Sequence, residues 1–89
     1  MLVLPAVLTR SQAGACLRML MQGLRVEQGL AVVVDAGALA RFDSAALAVL
    51  LEFRRAGLAS GKSLSIRAMP QRLRDLATLY GIGELLPSD

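Results

Sequence analysis

The chain has 89 residues, 55% of them hydrophobic and 19% charged, with ten Lys and Arg against seven Asp and Glu for a net charge of +3, and a single cysteine. That length supports one domain, residues 1–89, with a single two-layer core, and that apolar content excludes a disordered chain. The basic residues are scattered from Arg10 to Arg74, and only one Tyr and two Phe are present for base stacking, so no nucleic-acid partner is expected.

In chain order, Met1 to Leu4 reads as a short strand stopped by Pro5, which has no N–H to give to a ladder. The opening run lacks the positive n-region and the apolar length of a signal peptide. Thr9-Arg10-Ser11-Gln12 has the form of a capping box, a Thr cap with Gln three residues on. Ala13, Cys16, Leu17, Leu20, Met21 and Leu24 then fall at helical spacing and form one apolar stripe. Met19 and Met21 are expected in the core. The lone Cys16 excludes a disulfide framework and fits a reduced, cytoplasmic compartment.

Leu30-Ala31-Val32-Val33-Val34, closed by Asp35, is the central strand. Its unbroken apolar run predicts burial on both faces, as in a parallel sheet. An eight-residue connection containing Leu39 and Phe42 follows. Asp43-Ser44 then introduces a helix to about Ala59, with Ser44 as its expected N-cap. Leu47, Leu50, Leu51 and Leu58 share one side of this helix, with Ala46, Val49 and Phe53 beside them. Its outer face carries Ala45 and Ala48 in the first turns, then Glu52, Arg55 and Ala59. The small-residue start is either a landing surface beside a hydroxyl and a carboxylate, or simply alanine serving as the best helix former.

Leu64 to Arg67 is the next strand. Pro70 is placed at a first helical position, and Leu73, Leu76, Ala77 and Tyr80 repeat at helical spacing. Gly81 supplies a left-handed cap with Ile82 behind it, and Leu85 and Leu86 are expected to tuck back before Pro87. The alternation of strand and helix is that of an α/β domain. No segment approaches the ~18 consecutive apolar residues of a membrane span.

Catalytic means are few. Histidine is absent, the single Cys has no acidic company, and no Gly-rich phosphate loop occurs, so neither metal nor cofactor is expected and the chain does not read as an enzyme. Asp35 and Asp43 lie near one sheet edge, but the first is expected to end a strand and the second to favour a helix N-terminus. Ser44 has three readings: a plain cap, a hydroxyl offered to a partner, or a phosphoacceptor whose added charge would expel one.

Asp35, Leu39 and the run Phe42-Asp43-Ser44-Ala45-Ala46-Leu47 resemble the signature of STAS domains, whose pattern is D-S-x-G-L, the fold of the anti-sigma-factor antagonists. Leu47-Ala48-Val49-Leu50-Leu51 and the tail Leu76-Ala77-Thr78-Leu79-Tyr80-Gly81-Ile82-Gly83-Glu84-Leu85-Leu86-Pro87 are similar to the MlaB type, the STAS protein of the Mla phospholipid-transport system. The similarity runs from about Leu2 to Pro87. It departs at Ala46, where the family has Gly, and at the family's first strand, which has no counterpart before Leu2. An open sheet edge of that kind invites pairing with a second copy, a possible homodimer.

The resemblance implies a STAS-like α/β fold, a small mostly parallel β-sheet with three helices packed on it. It also implies a non-catalytic accessory subunit. That subunit would bind the cytoplasmic ATPase of an ABC transporter moving phospholipids between bacterial membranes, and would meet the membrane only through that complex. Carried over by position, it places Asp43, Ser44, Ala45 and Leu47 at or beside the interface. The face pattern adds Ala48, with Glu52 and Arg55 as a rim. The alternatives are an anti-sigma-factor antagonist regulated by phosphorylation of Ser44, and a stand-alone module for a small apolar or nucleotide ligand.

Overall fold

The structure, a computed structural model, describes residues 1–87. Its centre is β3 (Ala31–Asp35), flanked in parallel by β1 (Leu2–Val3) and β5 (Ser63–Arg67). Leu2 is in register with Val34, Val34 with Ile66, and Val32 with Leu64. Residues in register across a ladder point to the same face, so these five side chains share one. Val32, Val34, Leu64 and Ile66 are buried there, and they join the buried residues of all three helices in one core.

The opposite face is barely covered. Val3, Ala31, Ser63 and Arg67 are exposed, and Val33, Asp35 and Ser65 are half-buried. The expected two-sided burial of the central strand is therefore corrected to one-sided burial, with Leu30 outside the strand and 75% exposed. The valines on the open side reflect the fit of β-branched side chains to a pleated backbone rather than a second helical layer.

Helix α1 (Arg10–Val26) buries Cys16, Leu20 and Leu24, and Ala13, Leu17 and Met21 pack beside them. Met19 falls outside that stripe and is exposed. Helix α2 (Ala45–Ala59) buries Ala46, Leu47, Val49, Leu50, Phe53 and Gly57. Leu58, expected among them, is 51% exposed, because the helix has turned it away from the core by its last turn. Both α2 and α3 (Gln71–Leu79) end in Schellman turns. Lys62 N–H donates to Gly57 O (2.8 Å) past Gly61 at φ +75°, and Ile82 N–H donates to Ala77 O (2.9 Å) past Gly81 at φ +73°.

Three details differ from the sequence reading around α3. Pro70 is the cap, with extended ψ of 143°, rather than the first helical residue. Tyr80 sits at the C-cap, where the turn swings it out of the apolar stripe to 57% exposure. A single 3-10 turn over Gly83–Leu85 separates the leucine pair, so Leu86 is buried while Leu85 is exposed. The tail then runs along β5, where Pro87 O accepts from Ile66 N–H (2.8 Å). The opposite sheet edge, β1, is two residues long and closed by Pro5.

A second, two-stranded parallel pairing joins β2 (Val7–Leu8) to β4 (Arg41–Phe42) within segments read as connections. Ala40 and Arg41 N–H both donate to Ala6 O (2.8 and 3.0 Å). These bonds hold the lead-in to α1 against the lead-in to α2, which brings the two helix N-termini together.

Candidate functional site

The start of α2 is built by Asp43. Its Oδ1 accepts from Ala45 N–H (2.9 Å) and its Oδ2 from Arg10 N–H (3.2 Å), so one carboxylate serves the first turns of two helices. Free N–H groups and the positive end of each helix dipole favour a carboxylate at that point. Ser44, the expected N-cap, has helical φ and ψ (−62°, −17°) and makes no side-chain cap bond. Capping by the residue before it leaves its exposed hydroxyl unengaged. Asp35 serves its own chain too, with Oδ1 accepting from Gly37 N–H (2.7 Å).

From Ser44 the outward stripe of α2 runs through Ala48, Glu52 and Arg55, all exposed, with Ala45 half-buried beside it. Glu52 Oε1 and Arg55 Nη1 lie 3.5 Å apart, and the Arg55 side chain is 81% exposed, so this pair adds little to stability. Leu47 points into the core and reaches the surface only at the floor of a hollow. Of the residues expected at a partner surface, Ser44, Ala45 and Ala48 thus form a small uncharged patch, Glu52 and Arg55 border it, Asp43 is exposed at its edge where it fixes the helix start, and Leu47 lies beneath. Ala46, standing where the STAS pattern has Gly, is fully buried, while Ser44 beside it in sequence is exposed.

Two hollows flank the patch and share Ser44 and Tyr80. One, of about 340 Å³, lies between Leu47, Ala48 and Leu51 of α2 and Tyr80 and Ile82 at the end of α3. The other, of about 490 Å³, is lined by Phe42, Arg72, Asp75 and Leu79 among others. The Arg72 guanidinium carbon stands 5.2 Å from the centroid of the Phe42 ring. Sequence pattern missed Arg72 and Tyr80. Tyr80 falls at core spacing, and only the Gly81 that follows it signals that the helix has already ended there.

Among the described residues no group of three or more His, Cys, Asp or Glu is placed to hold a metal ion, and no helix is long and apolar enough to cross a membrane. The arrangement offers a hydroxyl, a smooth helix face and two open hollows, a surface suited to docking. A parallel sheet with helices on one face, and Asp-Ser at the N-terminus of the helix after the central strand, agree with the resemblance to STAS domains. A family model described as "Mlab, STAS domain" matches residues 1–87, and the chain belongs to that family. A search of curated proteins gives no match.

Proposed function

We propose that this chain is a non-catalytic accessory subunit that docks through the N-terminal face of α2 onto the cytoplasmic ATPase of an ABC transporter moving phospholipids between bacterial membranes. The observation that carries the reading is Ser44, an exposed hydroxyl relieved of capping by Asp43 and set beside Ala45 and Ala48. Small side chains let a partner backbone approach closely, and a hydroxyl with no internal bond can give and accept one. Among the described residues the tail runs to β5, where Pro87 O accepts from Ile66 N–H, and Ser44 and Ala48 stay exposed. Membership of the Mlab, STAS domain family supports this reading.

The test is co-purification with the cytoplasmic ATPase subunit of a phospholipid-moving ABC transporter from the same organism. Ser44→Leu and Ser44→Asp are each expected to abolish it, the first by bulk and the second by burying an unpaired charge. Normal co-purification of both variants would place the docking surface elsewhere. A second reading rests on the same free hydroxyl: phosphorylation of Ser44 in an anti-sigma-factor antagonist. Intact-mass spectrometry of the protein purified from its host separates the two, because the docking reading requires an unmodified Ser44.

A further inference from the structure

We infer that the β1 edge of the sheet and the flank of α1 beside it form a self-complementary surface, which takes a second copy of this chain across a two-fold axis at Val3. β1 is an outermost strand of its sheet. Leu4 N–H donates to Asp35 O (2.9 Å), so Leu4 faces β3. Backbone groups of successive strand residues point to alternate sides, so the N–H and C=O of Val3 point away from the sheet. An edge of this kind is a template for another strand.

Helix α1 runs along β1 and widens that edge. Pro5 and Val7 share a hollow of about 240 Å³ with Ala15, Cys16 and Met19. Leu2 lies so close to Gly23 that a Cβ there would collide with it. The Met1 ammonium stands 3.3 Å from Glu27 Oε1. The flank of α1 on this side carries Ala15, Met19, Gln22 and Val26, which fall on one stripe, all exposed and none charged. Arg18 and Arg25 lie one stripe further round. With the exposed Met1 and Val3, the stripe forms an uncharged border along the open edge.

The occupant follows from what the edge lacks. Pro5 has no N–H to give, so strand pairing is confined to about three residues, too few to hold a flexible peptide. A second copy brings its own α1 flank in the same step. Each Val3 gives its N–H to the C=O of the other, and the two apolar flanks meet on the helix side of the joined sheets. Even the largest side of a molecule measuring 31 × 25 × 19 Å falls short of the ~800 Å² per partner of a standard interface. The pair is therefore weak, with a dissociation constant on the order of tens of micromolar. It is independent of the docking reading, because α2 packs on β5, across the sheet from this edge.

The test is sedimentation velocity of the full chain from about 1 to 500 µM. The mass is expected to rise from one copy towards two, and a single-copy mass throughout overturns the proposal. Val3→Pro removes only an outward N–H, and Met19→Glu sets two like charges across the axis. Each is expected to weaken pairing roughly tenfold or more. Melting curves verify folding, and if Val3→Pro is unstable the exposed Met19→Glu decides. Leu58→Glu alters an exposed leucine on α2 and is expected to stay within about twofold of wild type. Raised salt is expected to strengthen pairing about twofold, because the border is uncharged while two chains of net charge +3 repel. Normal pairing by Met19→Glu, equal loss in Leu58→Glu, or weakening by salt each overturns this assignment.

Discussion

The first turns of α1 and α2 lie side by side, and each opens on a hydroxyl residue, yet the two hydroxyls have opposite fates. Thr9 is closed in: its N–H donates to Gln12 Oε1 (3.0 Å), and its Oγ1 donates to the same oxygen. Ser44 is left open, because the residue before it performs the capping that sequence preference assigns to serine. The residue type is therefore a poor guide to availability. What decides is whether a neighbour has already met the helix's free N–H groups. At α2 that neighbour is a carboxylate, and its second oxygen ties α1 to the same point.

If one carboxylate serves both helices, removing it should do more harm than removing either hydroxyl. Asp43→Ala is expected to destabilise the fold by about 2 kcal/mol, since two backbone N–H groups lose a charged acceptor. For a chain of this size that lowers the melting temperature by roughly 8–16 °C. Thermal unfolding followed by circular dichroism reads it, and a negligible shift would mean that the double cap is not a structural element. Asp43→Asn sharpens the point. The amide oxygen can still accept from Ala45, but the amide NH2 then faces Arg10 N–H, donor against donor. The expected loss is about 1 kcal/mol, between wild type and the alanine variant.

Thr9→Ala tests the closed hydroxyl. Losing this capping partner is expected to cost about 1 kcal/mol, seen as a lower denaturant midpoint with an unchanged m-value. A neutral outcome would remove the contrast with Ser44 from the other side.

Where pattern was long, the sequence read true. The stripe through Cys16, Leu20 and Leu24 gave α1 its buried face, and Gly81 marked where α3 stops, because positive φ is cheap only for glycine. Where the deciding contact was short in sequence but distant in space, the sequence was silent. Two-residue strands such as Val7–Leu8 and Arg41–Phe42 carry no periodicity, and nothing local says that they pair. The bond from Arg10 to Asp43 depends on that pairing, so the true cap of α2 could not be read from the dipeptide Asp-Ser alone. Tyr80 was misplaced for a related reason: helical spacing assigns it to the core until the position of the C-cap is known.

The smallest expected effect is the most pointed. If Ser44 capped α2, Ser44→Ala would cost about as much as Thr9→Ala, near 1 kcal/mol. The structure instead leaves the Ser44 hydroxyl without a cap bond in an exposed position. Alanine, the better helix former, is therefore expected to change stability by no more than about 0.5 kcal/mol, in either direction. If the proposed docking holds, the same variant is expected to weaken binding to the transporter's ATPase subunit. Unchanged melting with weakened binding identifies Ser44 as a contact. Loss of stability with intact binding would return it to the role of an ordinary cap and take the docking surface away from the α2 tip.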